Sequence, residues 1–393
     1  MIFSSLVEKF KVPSNALYKE KDSLLSKGKK IIDCVSGNVS EQGISYPYSA
    51  LEKIIERAGA QAKVYRPDPQ GQPVARAAVS EFYKQQGVTV PPEHVLMTPG
   101  TSFSYWCLFR LFGNPGDEFL APCPSYPLFD HIAAASGVQT VPYELNESAL
   151  WKINLDDLES KVNYKTKGII LVSPHNPTGA VMTEQEIDGL VSIAERNSLP
   201  IIADEVFSPF LFRLRTLPRP ASRKAPLVFT LNGFSKMFAL PGMKIGWMAV
   251  TGKESLVTEA VQSLSTLIDA FLPVNEISQF AVPDIFREGA AFLSKYRMEI
   301  SSRAEMAIRA LSKVPRLTLS PPEGGFYLTL KVNDLIVDEE QLALSLLRQE
   351  GLLVHPGYFY DMAPAHLVIS YVLSPDVLQS ALKKLVKHFQ SPA

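Results

Sequence analysis

Lys236 is the residue around which chemistry can be built. It lies in Asn232-Gly-Phe-Ser-Lys-Met-Phe-Ala-Leu-Pro-Gly-Met-Lys-Ile-Gly-Trp247, where Ser235-Lys236 is followed by a Pro-Gly turn and a Gly-Trp pair. A Ser-Lys pair is common, and a loop lysine is more often a solvated charge than a nucleophile. Here two apolar runs, Leu227-Val-Phe-Thr-Leu231 and Ile245 to Val250, flank it. A lysine held between two buried strands is partly desolvated, which lowers its pKa and frees the neutral amine to form a Schiff base with a carbonyl.

Three further stretches carry complementary groups. Ser173-Pro-His-Asn-Pro-Thr-Gly179 follows the strand-like Gly168-Ile-Ile-Leu-Val172, Ile201-Ile-Ala-Asp-Glu-Val206 ends an apolar run in an acid, and Thr98-Pro-Gly-Thr-Ser102 opens a helical segment. Four such motifs, in this order and at compatible spacing, are far more specific than any one alone. Over roughly residues 30 to 375 the chain resembles the fold-type I, class I/II aminotransferases of the aspartate aminotransferase superfamily, which use pyridoxal 5′-phosphate.

The resemblance implies a role for each residue. Lys236 would carry the cofactor as an internal aldimine and then move protons between the substrate and the cofactor. Asp204 would face the pyridine nitrogen and keep it protonated, the competing reading being a helix cap after a strand. Asn176 would donate to the ring's phenolate oxygen. Tyr126, in Pro124-Ser-Tyr-Pro127, would stack on the ring face, or else is a buried aromatic. Gly100, Thr101 and Ser102 open a helix whose free N–H groups can cradle the phosphate, with Ser235 and Lys244 completing the cup. Tyr65, in Val64-Tyr-Arg-Pro-Asp-Pro-Gln-Gly71, would reach the neighbouring subunit's cofactor phosphate, which implies a homodimer. Asn38 would contact the substrate carboxylate, although Ser36-Gly-Asn is equally a plain turn. Trp247 reads as core.

These residues need a scaffold that brings strand ends together. From about residue 94 to 250, short apolar runs alternate with helical stretches, the pattern of a parallel sheet wrapped by helices. Seven strands are expected, near 94–97, 118–121, 138–142, 168–172, 200–203, 227–231 and 245–250, and ligands of such sheets gather at the carboxyl ends of the strands. The expected fold is α/β: a large domain with a mostly parallel seven-stranded sheet, plus a small α+β lobe from both chain ends. The expected divisions are an arm and part of the small domain over 1–42, the large domain over 43–274 and the small domain over 275–393. Pro322 to Leu330 starts a strand in that lobe. Arg287, Arg297, Arg303 and Arg309, on the helical stretch after Lys253, read as solvated faces.

Composition narrows the function. The 393 residues are 46% hydrophobic and 20% charged, with a net charge of −1, so there is no electrostatic footprint for nucleic acid or an anionic membrane. No apolar run reaches membrane-spanning length, and the first residues lack the pattern of a signal peptide. Cys34, Cys107 and Cys123 have no metal-ligand spacing. The expected setting is cytoplasmic, and the expected partner is a small molecule, which the resemblance implies is an amino acid substrate.

Three positions depart from the family pattern. Phe207 stands where a tyrosine usually donates to the phenolate oxygen, and Lys244 stands where an arginine is usual, giving up bidentate contact with phosphate. Val368, in His366-Leu-Val-Ile-Ser370, occupies the place of the arginine that clamps the substrate α-carboxylate. Arg66, Arg213 and Arg215 are candidate replacements. Transamination between an amino acid and a 2-oxo acid is the leading expectation. The same parts would serve elimination, replacement, cyclisation or decarboxylation. A non-catalytic sensor of pyridoxal phosphate is the remaining rival, and the short arm offers no DNA-binding module for it.

Overall fold

A computed structural model describes residues 3–10, 15–272, 274–333 and 337–390. The amino-terminal arm holds the helix Ala16–Ser26, capped by Asn15, whose side chain accepts the Leu17 N–H. It leads to a two-residue strand, β1 (Ile32–Asp33).

The dominant sheet has eight strands: β2 (Val95–Thr98), β3 (Glu118–Cys123), β4 (Gln139–Asn146), β5 (Lys152–Ile153), β6 (Thr166–Val172), β7 (Ile201–Asp204), β8 (Leu227–Gly233) and β9 (Gly246–Gly252), in the order β2-β9-β8-β7-β6-β3-β4-β5. From β8 to β4 every neighbouring pair is parallel, while β9 and β5 join antiparallel. Seven of these are the strands expected from the sequence. The eighth, β5, escapes a periodicity reading because two residues carry no period. It is held at the edge of β4, and the Ile153 N–H donates to Glu186 at 2.6 Å.

The central strands are buried on both faces, as helices on both sides of a parallel sheet require. Ile170, Val172 and Ile202 pack with the helices Thr101–Phe112, Leu128–Ser136 and Glu254–Asp269 on one side. Ile169, Leu171 and Ile201 pack on the other with Glu184–Arg196, whose Thr183 and Glu186 form a reciprocal capping box. The period of two therefore assigns each side chain to one core or the other.

The 36-residue helix Glu276–Leu311 runs from this layer to a second one. There β10 (Leu317–Leu319), β11 (Tyr327–Val332), β13 (His355–Pro356) and β14 (His366–Ser370) form an antiparallel sheet in the order β10-β11-β14-β13, and β12 (Leu352–Leu353) pairs in parallel with β1. Both ends of the chain thus meet in one layer, closed by the helix Pro375–Gln390.

One expectation on the long helix fails. Arg287, Arg297 and Arg309 are exposed, but Arg303 is only 3% exposed. Its guanidinium donates to the carbonyl oxygens of Val372 and Gln42 and pairs with Glu299 at 2.9 Å. Helical spacing could not reveal this, because the carbonyls it satisfies come from segments far away in the chain.

Candidate active site

The parallel strands β6, β7 and β8 end in Val172, Asp204 and Gly233, and all three residues line one cavity. Gly100, Thr101, Ser102, Asn176, Ser235 and Lys236 complete much of its wall. The four motifs scattered over more than a hundred residues of sequence converge because each directly follows or ends a strand of one sheet.

Lys236 sits on the single helical turn Phe234–Met237 that follows β8. Phe234 and Met237 are fully buried and pin this turn. Upstream, the buried Asn232 amide donates to the Glu205 carbonyl at 2.9 Å and to the Ser208 hydroxyl at 3.0 Å, tying the end of β8 to the segment after β7. Gly246 lets the strand before the Thr98–Ser102 loop come close: a Cβ there would lie 3.0 Å from both the Asn232 oxygen and the Gly100 Cα. Among the described residues, Lys236 Nζ has no carboxylate or hydrogen-bond partner, and it lies 5.8 Å from the Phe326 ring centroid. Burial pushes its pKa below that of an ordinary lysine.

Asp204 is 8% exposed. Burial raises its pKa to about 6, although the Val206 N–H and the Tyr105 hydroxyl donate to it at 3.1 and 3.0 Å and work in the opposite direction. Next to it, Glu205 is buried in a two-bond pair with Arg219, at 3.1 and 2.9 Å. Asn176 faces the cavity with a buried amide oxygen that has no protein partner. Tyr126 is half-exposed at the cavity wall, its ring edge-on to Phe129 with centroids 5.7 Å apart. Gly100, Thr101 and Ser102 form the amino-terminal end of Thr101–Phe112, a 12-residue helix with no side-chain cap on its free N–H groups.

The remaining candidates lie around this centre. Asn38 borders a second hollow that shares Ser235 and Lys236 with the cavity. Lys244 is exposed and lines a neighbouring hollow with Pro99 and Phe103 rather than the cavity itself. Tyr65 and Arg66 are exposed, Tyr65 at 67%, and neither reaches the cavity of its own chain. Arg213 and Arg215 are also exposed, and Arg215 borders a separate hollow beside Met237 and Phe286. Trp247 is core, with Nε1 donating to Tyr83 at 3.1 Å.

Val368 is fully buried on β14, across from Thr329 and His355. Behind it stands a neutral chain: the Tyr18 hydroxyl is 2.8 Å from His355 Nε2, and the Tyr360 hydroxyl is 3.0 Å from His355 Nδ1. Burial holds His355 at about 4, so the ring is uncharged near neutrality. Among the described residues lining the cavity and its adjoining hollow, Lys236 is the one cation.

Two contributors were not singled out from the sequence. Tyr105 lies one turn after Thr101 on the same helix, a spacing that could have pointed to it. Tyr327 lines the cavity from β11, and its signal was the Gly-Gly-Phe-Tyr run, read only as a strand start.

Taken together, these groups suit an aromatic carbonyl compound bearing a phosphate. They offer an unpaired amine for the carbonyl, a buried acid for a ring nitrogen, an orphaned amide, and a free helix terminus for the anion. The sequence profile of the aminotransferase class I and II family matches residues 30–385. The chain is 30% identical over 381 residues to a glutamate-pyruvate aminotransferase of Haemophilus influenzae, covering 94% of this chain and 93% of that one. It is 28% identical over 385 residues to an alanine aminotransferase of Mycobacterium bovis, covering 92% and 86%. The solved structure of an alanine aminotransferase from Pyrococcus furiosus superposes with a TM-score of 0.92 at 23% identity, covering 99% of this chain and all of that one. With a family profile spanning most of its length and strand-end residues suited to the cofactor, the chain belongs to the class I and II aminotransferases and is a pyridoxal 5′-phosphate-dependent enzyme of fold type I.

Proposed function

We propose that the chain transfers an amino group between an amino acid and a 2-oxo acid, with Lys236 as the reactive amine. The observation that carries this is Lys236 itself: a half-buried amine with depressed basicity and no counter-charge among the described residues, lining a cavity shared with Asp204 and Asn176. When bound, pyridoxal phosphate supplies an electrophilic carbonyl and an electron-withdrawing ring. Lys236 Nζ would be the amine that holds the cofactor's carbonyl carbon and, once displaced by the substrate amine, the base that moves the substrate's α-proton. Asp204 would hold the ring nitrogen and keep it protonated. Asn176 would donate to the ring's phenolate oxygen, and Tyr126 would cover the ring face. Ser235 and the N–H groups of Gly100, Thr101 and Ser102 bind the phosphate, with Lys244 adding positive charge from the rim.

The working enzyme is a homodimer in this reading. Tyr65 and Val64 are exposed on a loop held by Glu276 and Gln72, so a second subunit is the natural recipient of Tyr65 at its phosphate site, with Arg66 beside it at the substrate. The chain divides into an arm over 1–42, a cofactor domain over 43–274 and a small domain over 275–393; the β1–β12 pairing supports joining the arm to the small domain. Three free cysteines support a reducing, cytoplasmic setting. Among the described residues, no helix is long and apolar enough to cross a membrane.

The test mixes the cofactor-loaded enzyme with a panel of amino acids, following the cofactor absorbance and the mass of each product. Conversion of the cofactor to its amine form with release of the matching 2-oxo acid is expected, and Lys236→Ala should abolish it. Release of ammonia, carbon dioxide or a cyclised product without that conversion would overturn transamination.

A further inference from the structure

The cavity contains one polar group that the roles above leave unused. Tyr327 projects from the start of β11 into the cavity, where its hydroxyl has no hydrogen-bond partner among the described residues. Gly37 locates that hydroxyl. A Cβ built on Gly37 would lie 2.7 Å from the Tyr327 oxygen and 3.3 Å from Lys236 Nζ, so phenol and amine converge over the same backbone atom. The residue is half-buried and its hydroxyl, with no protein partner among the described residues, is free to donate to a ligand bound in the cavity.

Phe207 explains which acceptor is available. Its ring is 3% exposed, borders the same cavity and meets the Tyr327 ring edge-on, with centroids 6.3 Å apart and planes at 87°. Phe326 holds it from the other side at 4.9 Å. Position 207 therefore offers no hydroxyl, while one stands on the adjoining ring. We propose that Tyr327 replaces the donor missing at Phe207: its hydroxyl donates to the ionised ring oxygen of the bound cofactor, beside Lys236. The assignment rests on the cofactor site described above and adds a catalytic residue contributed by a different strand, and by the other layer of the molecule.

Burial keeps the phenol protonated well beyond the neutral range, as a donor requires. The side chain is also fixed by its register: Tyr327 is paired with Ser370, and the Ser370 N–H donates to the Cys34 carbonyl three residues before Gly37. The hydroxyl and the Gly37 loop are thus placed by one connected set of backbone bonds.

The test is the pH titration of the cofactor's visible absorbance in the loaded enzyme. A donor to the ionised oxygen favours the deprotonated form and holds the midpoint down. Tyr327→Phe should raise the midpoint by about one to two pH units, the worth of one hydrogen bond to a charged group. Adding Phe207→Tyr to that variant should return the midpoint toward wild type, whereas Phe207→Tyr alone should move it far less, because the two hydroxyls compete for one oxygen. An unchanged midpoint in Tyr327→Phe would overturn the assignment, and a change confined to substrate KM would assign the hydroxyl to the substrate instead. A shift that Phe207→Tyr does not reverse would mark a packing effect and also overturn it. A wild-type protein that binds the cofactor without a titrating band would count against the Lys236 reading itself, so the two failures are separable.

Discussion

Asp204→Asn should stabilise the cofactor-free protein at alkaline pH and weaken the loaded one. Burial raises the Asp204 pKa from 3.8 to about 6. The folded chain therefore holds this proton more tightly than the unfolded chain, and stability falls as pH rises from about 4 through about 6. A shift of about two units corresponds to about 3 kcal/mol lost once the carboxylate is fully ionised. Asparagine keeps the shape, can still accept the Val206 N–H, and offers its amide to the Tyr105 oxygen, so most of that loss should be recovered. We expect the cofactor-free variant to be more stable than wild type by about 1–3 kcal/mol at about pH 8, and by little at about pH 5. Bound cofactor reverses the ranking, because the charged partner of its ring nitrogen is gone. Urea denaturation at both pH values, with and without pyridoxal phosphate, measures this directly. An equal difference between the cofactor-free proteins at the two pH values would refute the claim that an ionised, desolvated Asp204 carries the effect.

Two further substitutions probe other parts of the site. Glu205 and Arg219 are 2% and 4% exposed, so Arg219→Ala leaves a buried, unpaired carboxylate beside Asp204. It should cost about 3–5 kcal/mol in urea denaturation, and Arg219→Ala combined with Glu205→Gln should cost less. Val368→Arg places a cation in a fully buried position behind Tyr327 and should lower the thermal midpoint. A dicarboxylate such as maleate should restore part of that midpoint, and KM for α-amino acids should fall about tenfold or more, the worth of a charge-assisted bond. No carboxylate-dependent change would show that the arginine cannot reach the substrate from this position.

Much of the site was legible because its parts are local. Lys236, Asp204, Asn176 and the Thr98–Ser102 loop each follow or end an apolar run, and parallel sheets bring strand ends to one side. The seven longer strands were readable for the same reason: their burial on both faces leaves continuous apolar segments. What stayed hidden depended on partners distant in the chain. Arg303 looked like a surface residue until the Val372 and Gln42 carbonyls closed around it. Tyr327 looked like part of a strand start until folding brought its hydroxyl and Lys236 Nζ to the same glycine, Gly37. Lys244, which the resemblance assigns to the phosphate cup, lines a third hollow with Pro99 and Phe103.

Residue type and spacing determined the sheet and singled out the lysine, and the family resemblance carried by those motifs implied the cofactor, because a short motif at a strand end keeps its place wherever the sheet is assembled. Only the tertiary structure decided two groupings near the site: the neutral chain of Tyr18, His355 and Tyr360, centred on the strand next to Val368, and the Tyr327 phenol beside Phe207 on the cavity that Lys236 lines. Those neighbours come from four separate segments, and their distances, burial and protonation exist only after the two layers have packed together.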